Sequence, residues 1–307
     1  MSETVLKLTN VTKTYGNKAA VDHVNMTIKK GDIYGLIGRN GAGKTTLTRL
    51  ITGLSFADKG EIQIFGETTE TGLREARSRL GCIIEMPAFY PNLNARQNLE
   101  YYQRVKGIPN KQVVEETLKL VGLMDTGKKK FKNFSLGMKQ RLGIALALLN
   151  SPDFIILDEP INGLDPAGII EMREILKYLN QEKQITILIS SHILTELSMV
   201  ATRYGIINEG KLVKEVTHEE LKEDCQRSLA IVVDDVPKAT SVMETILKTS
   251  KFKVISDREI RLYDYLDNPA EVSHQLVKND VRISSVSEIG DSLEDYFMSL
   301  IGEVESL

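Results

Sequence analysis

Residues 38–46 read GRNGAGKTT, entered from the apolar run DIYGLIG (32–38) and followed by LTRLITGL (47–54). The stretch fits G-x-x-x-x-G-K-[ST], with Gly38, Gly43, Lys44 and Thr45 in the fixed places. Glycines let the backbone curl so that its N–H groups converge, and the helix that follows adds its positive N-terminal end. Gly38, Arg39, Asn40, Gly41, Ala42, Gly43, Lys44, Thr45 and Thr46 are therefore assigned to a phosphate-binding loop. Lys44 is placed to reach the outer phosphates and Thr45 to offer its hydroxyl to Mg²⁺. A glycine-rich turn with an incidental lysine is the plainer alternative. The apolar strand before the loop and the apolar helix after it favour the phosphate site.

Such a loop needs an acid for the metal, and FIILDEP (154–160) offers one. Four apolar residues lead into Asp158, and Pro160 stops the strand. A buried carboxylate is costly unless it is paired or holds a metal, so Asp158 is assigned to Mg²⁺. Glu159, one residue beyond, points elsewhere and is the candidate base for an attacking water. A second apolar run, Cys82-Ile83-Ile84, also ends on an acid, Glu85, at the tip of an expected buried strand; locally it reads either as a surface carboxylate closing that strand or as a group aimed at a site.

Bulk composition narrows the classes. The chain has 307 residues, room for two domains, and 39 Lys+Arg against 42 Asp+Glu, which argues against a general nucleic-acid binder. Two cysteines, Cys82 and Cys225, make neither a disulfide framework nor a zinc pattern. The sequence shows no secretory signal and no run approaching the ~18–20 apolar residues of a membrane span. A soluble protein that reaches a membrane only through a partner is expected.

Strand-like segments surround the loop at VLKLTNV, VDHVNMTI, GEIQIFG, FIILD and ITILIS, while 93–150 reads as mostly helical. Residues 205–216 read as a hairpin turning on Glu209-Gly210, and 217–226 as a charged helical connector. The tail, 227–307, follows the order β-α-β-β-α-β with a closing helix, as a ferredoxin-like domain requires. Ser292 with Asp295 fits a cap for that helix, and Leu293, Tyr296, Phe297 and Leu300 fit its buried face. Asp234-Asp235, Glu294-Asp295 and the run Lys128–Lys130 with Lys132 read as solvated charge.

Between the phosphate loop and the acid strand lies FSLGMKQRLGIALALL (134–149). With it, residues 3–216 resemble the ATP-binding subunit of an ABC transporter. That family's LSGGQ signature stands here as Phe134-Ser135-Leu136-Gly137-Met138. Asn162-Gly163-Leu164-Asp165 is similar to its D-loop, His192 in SSHIL to its switch histidine, and Tyr15 to the aromatic that stacks on adenine. The resemblance implies an α/β P-loop NTPase of cassette type, with a mixed sheet core and a helical subdomain at about 93–150. The segment pattern sets domains at 1–218 and 227–307 joined by a linker at 219–226, and the resemblance implies ATP and Mg²⁺ as cofactors. It also implies head-to-tail pairing with a second copy, so that Ser135, Gly137 and Asp165 meet the nucleotide held by the partner's loop. Glu159 and His192 would be catalytic.

Leu136 stands where the signature has glycine and Met138 where it has glutamine, so strain is expected if position 136 needs a positive φ. The resemblance implies a glutamine at the end of this strand in most of the family, where this chain has Glu85. Glu85 is accordingly expected to act as a metal or water ligand in catalysis. The signature variant, the carboxylate in IIEMPAFYPNL and the closing SLEDYFMSLIG together resemble the cassettes of bacitracin-resistance and lantibiotic-immunity systems. That resemblance implies a Gram-positive host, membrane-spanning permease subunits as partners and a place on the cytoplasmic face of the cell membrane. An importer cassette, a soluble ATPase acting on ribosomes or DNA, and a regulatory module without hydrolysis are the rival classes. Paired cassettes, coiled-coil insertions and basic extensions, the marks of the soluble machines, are not seen in the sequence.

Overall fold

The computed structural model describes residues 3–85, 88–225, 227–290, 293, 296–298 and 300, and the chain divides into two compact units between His218 and Glu219. The first unit begins with β1 (Thr4–Tyr15), β2 (Lys18–Lys29), β3 (Ile33–Ile37), α1 (Lys44–Thr52), β4 (Lys59–Ile64), α2 (Glu70–Ser78) and β5 (Leu80–Ile83). It continues through α3 (Ala95–Val105), α4 (Val113–Leu120), α5 (Leu136–Leu148), β6 (Phe154–Asp158) and α6 (Pro166–Gln181). It closes with β7 (Thr186–Ser191), α7 (Leu194–Ser198), β8 (Arg203–Asn208) and β9 (Lys211–Thr217).

Two sheets result. β2-β1-β4 is antiparallel, and β5-β6-β7-β3-β8-β9 is parallel up to β8, with β9 added antiparallel at the far edge. Every residue of β3, β6 and β7 is buried, which is why these strands read as near-unbroken apolar runs. Their carboxyl ends lie side by side: Asp158 pairs with Ser190, and Ile37 with Ser191. In parallel sheets that edge is where ligands bind. The core between the two sheets holds Leu6, Leu8, Met26, Leu47, Leu50 and Ile51 among others. β5 corrects one expectation. It is an edge strand with Cys82 exposed and Ile83 half-buried, so the acid that follows leaves a sheet margin and not a buried strand.

The β8–β9 hairpin turns on Glu209 (φ 47°) and Gly210 (φ 81°), the pair of left-handed residues that a tight two-residue hairpin demands. Its tip is not free. Gly210 N donates to Ala42 O at 2.9 Å and Gly210 O accepts from Asp22 N at 2.8 Å. A methyl group at Gly43 would stand 2.4 Å from Ala20 O, and one at Gly210 3.0 Å from the same oxygen. The phosphate loop, β2 and the hairpin tip therefore meet at backbone distance, with glycine required at both positions.

The second unit contains α8 (His218–Cys225, beginning at the division), β10 (Ser228–Val233), α9 (Val236–Thr245), β11 (Phe252–Val254), β12 (Glu259–Leu262), α10 (Pro269–Lys278) and β13 (Ile283–Ile289). The strand order β11-β12-β10-β13, antiparallel throughout, is the ferredoxin-like arrangement. Leu229, Ile231 and Val233 of β10 pack with Val242, Met243, Val272 and Leu276 from the helices. Asp235 caps α9, its Oδ1 accepting from Lys238 N at 3.0 Å, while Asp234 stays exposed. Tyr296 and Phe297 are buried; Ser292, Glu294 and Asp295 lie outside the described residues.

Candidate functional site

The loop after β3 has the backbone its sequence calls for. Gly41 (φ 84°) and Gly43 (φ 110°) are left-handed, and a methyl group at Gly38 would fall 2.5 Å from Ile207 O. Lys44, only 5% exposed, donates to Gly38 O at 2.7 Å and to Arg39 O at 3.2 Å. Its ammonium also stands 3.2 Å from Glu159 Oε1. Thr45 Oγ1 donates to Asp158 Oδ2 at 2.8 Å. The hydroxyl and the carboxylate thus converge as an oxygen pair, the donor type Mg²⁺ uses alongside phosphate oxygens, so these residues fit that ion. Thr46 follows within α1, and Arg39 and Asn40 are exposed at the rim.

The three strand ends hold the acids in place. Ser190, fully buried in β7, donates to Asp158 Oδ1 at 2.5 Å and accepts from Glu159 N at 3.0 Å. One hydroxyl therefore fixes both members of the Asp-Glu pair. Glu159 is left-handed (φ 51°), which turns its side chain out of the strand direction, and His192 Nδ1 stands 2.8 Å from its Oε2. Each oxygen of Glu159 is engaged, one by Lys44 and one by His192. Glu159, Asp158 and Glu85 line one cavity together with Leu136, Lys139 and Gln140. Glu85 is left-handed as well (φ 62°), but its carboxylate, expected to serve a metal or a water, is engaged by Arg49 of α1.

The remaining expected residues lie outside this cluster. Tyr15 ends β1 with half its surface exposed, a flat ring available at the rim, and its hydroxyl is 3.4 Å from Ser55 Oγ. Ser135 is the N-cap of α5, accepting from Met138 N at 3.3 Å, and Asp165 is the N-cap of α6, accepting from Gly168 N at 3.0 Å. Both polar atoms satisfy helix ends here. Leu136 opens α5 in ordinary helical geometry, so the strain expected of it is absent. A methyl group at Gly163 would reach Leu136 Cδ2 at 3.1 Å, and Gly137 has only Leu164 close by. Gln140 Nε2 donates to Asn162 O at 3.2 Å, tying α5 to the loop before α6. The Lys128–Lys130 run and Lys132 are exposed.

Ser190, Arg49 and Gln140 escaped sequence reasoning. Ser190 had a signal, since SSH stands at the end of a strand parallel to FIILD. Arg49 and Gln140 had none, because their partners are distant in sequence and close only through the fold.

A family described as ABC transporter matches residues 21–162. The bacitracin transport ATP-binding protein BcrA of Bacillus licheniformis is 46% identical over 299 residues, spanning 97% of this chain and 98% of that protein. The lantibiotic transport ATP-binding protein SrtF of Streptococcus pyogenes is 46% identical over 215 residues, 70% of this chain and 92% of that one. The ATP-binding cassette MJ0796, solved as a dimer in a post-hydrolysis state with ADP and Pi, matches with a TM-score of 0.63 at 28% identity. That match covers 69% of this chain and 98% of the cassette.

Proposed function

The chain belongs to the ATP-binding subunits of ABC transporters, and from that membership we propose that it hydrolyses ATP to expel a peptide antibiotic of bacitracin or lantibiotic type. The observation that carries hydrolysis is Glu159, held between Lys44 and His192 at the open edge of the phosphate loop. An incoming triphosphate competes for Lys44 with the Gly38 and Arg39 carbonyls and with Glu159. As Lys44 turns to the phosphates, Glu159 Oε1 is released while His192 keeps the other oxygen in place. The freed carboxylate takes the proton of the water as its oxygen bonds to the γ-phosphorus, and ADP leaves with the bridging oxygen. Thr45 and Asp158 would hold Mg²⁺, which supplies positive charge to the developing phosphoryl charge.

Several parts of the reading rest on relatives. The bacitracin and lantibiotic names supply the cargo class, and nothing in this chain would touch the cargo itself. The chain carries one phosphate loop and one Ser135 motif, and the dimer of the related cassette supports pairing of two copies. In that pairing Ser135, Gly137 and Asp165 of one copy face the nucleotide of the other, and Tyr15 stacks on adenine. Among the described residues no helix is long and apolar enough to cross a membrane. Attachment to separate permease subunits on the cytoplasmic face fits that. The second unit is assigned an accessory role in dimer contact or regulation.

The test is co-expression with candidate permease subunits, followed by measurement of peptide-antibiotic sensitivity. General-base assistance is worth roughly 10²–10⁴-fold, so Glu159→Gln should bind ATP, lose at least a hundredfold in turnover and confer no resistance. Wild-type turnover in that variant would remove Glu159 from the mechanism. Unchanged sensitivity with the wild-type complex would remove the cargo.

A further inference from the structure

β5 and β6 run parallel with Ile83 paired to Leu157, and Glu85 and Glu159 each follow by two residues. Two carboxylates thus leave adjacent strand ends at matching positions, both from left-handed backbone, and both line the same cavity. Left-handed geometry is strained for a non-glycine residue and persists where the surroundings enforce it. Unpaired, two such charges beside a triphosphate would repel it and each other. The protein answers with one helix. α1 supplies Lys44 to Glu159 at 3.2 Å and Arg49 to Glu85.

The two cations differ in what they can do next. Lys44 is buried at the mouth of the phosphate loop, shared among two carbonyls and an acid, and free to move to a phosphate. Arg49 lies five residues on, in the last turn of α1, beyond the loop itself. Guanidinium binds carboxylate as a planar fork and stays charged, which suits a standing pair better than an exchanging one. We propose that Arg49 is a positioning residue that keeps Glu85 neutralised throughout the cycle. It turns a carboxylate in the cavity lined by Asp158 and Glu159 into a pair with no net charge, so ATP can enter beside it. On this view Glu85 is retained as half of a dipole fixed between α1 and the end of β5, and not as a bare anion.

The inference rests on reading 38–46 as a triphosphate site, and the experiment separates the two. Equilibrium binding of a fluorescent ATP analogue to the full-length chain, with Mg²⁺ present, is measured for wild type, Lys44→Ala, Arg49→Met, Arg49→Lys, Glu85→Gln and Arg49→Met/Glu85→Gln. Binding by wild type that Lys44→Ala abolishes supports the underlying site; no binding by wild type overturns that reading itself. The pair predicts opposite signs: Arg49→Met binds about fivefold more weakly and Glu85→Gln about fivefold more tightly, a screened charge acting over a few ångströms. Arg49→Lys stays near wild type, and the double variant returns to within about twofold of it. A merely structural contact predicts the same sign for both single variants and no rescue in the double, and that result overturns the proposal. Should Arg49→Met fail to fold, Glu85→Gln alone decides: equal or weaker binding overturns it.

Discussion

Ser190 does more for the site than its size suggests. It is fully buried, and its hydroxyl serves Asp158 and the backbone of Glu159 together. Hydrogen bonds to a charged group are worth ~1.5–3 kcal/mol, and an orphaned buried acceptor costs about as much. Ser190→Ala should therefore lower the unfolding free energy obtained from a urea titration by an amount in that range and depress ATP turnover. Ser190→Thr, which keeps the hydroxyl, should recover part of both. Residues of this kind mark how far a sequence can be read. Lys44, Thr45, Asp158 and Glu159 were legible because each sits in a local pattern whose chemistry needs it. Arg49 was not, because its partner lies 36 residues away and the two meet only once β5 has been laid beside β6.

At the level of elements, the central strands were legible and the margins were not. β3, β6 and β7 are buried on both faces and announce themselves as apolar runs. β5 looked the same and is an edge, since four residues carry too little pattern to separate the two cases. α2 carries little signal in the sequence because its exposed faces are highly polar, with only Gly72 and Ala76 buried, although Thr69, which accepts from Gly72 N at 3.1 Å, is an ordinary N-cap. Between elements, Tyr34 of β3 donates to Glu215 of β9 at 2.7 Å from a fully buried position. Burial first, and the Glu215 charge second, push the Tyr34 phenol well above its ordinary range. In the unfolded chain it ionises near pH 10. The folded state then holds the extra proton, so this contribution to stability is complete below about pH 10 and is lost as the pH rises further. Tyr34→Phe should lower stability by about 1.5–3 kcal/mol at neutral pH, as for other hydrogen bonds to a charged group. It should also flatten the alkaline limb of an unfolding curve measured against pH.

For the molecule as a whole, one chain carries half of each proposed ATP chamber. Glu159→Gln with ATP should migrate as a dimer in size-exclusion chromatography, revert on nucleotide removal, and stay monomeric when Lys44→Ala is added. A persistent monomer in all three conditions would sink the two-copy arrangement. The second unit was legible as a strand and helix order, because each of its elements is short and amphipathic and alternates with turn residues. Its purpose was not, since its core of Leu229, Ile231, Met243 and Leu276 is packing, and packing residues carry no chemistry.

The tip at Glu209-Gly210 has a practical consequence of another sort. In the sequence it looks like a spare surface turn, 163 residues or more from the phosphate loop, and an obvious place for an epitope tag or a fluorophore. Yet Gly210 is bonded to Ala42 on one side and Asp22 on the other. An insertion there would unlatch the nucleotide loop from behind and yield a folded protein that has lost its ligand. Labels belong elsewhere, and a loss of activity after tagging this hairpin should be read as a broken joint.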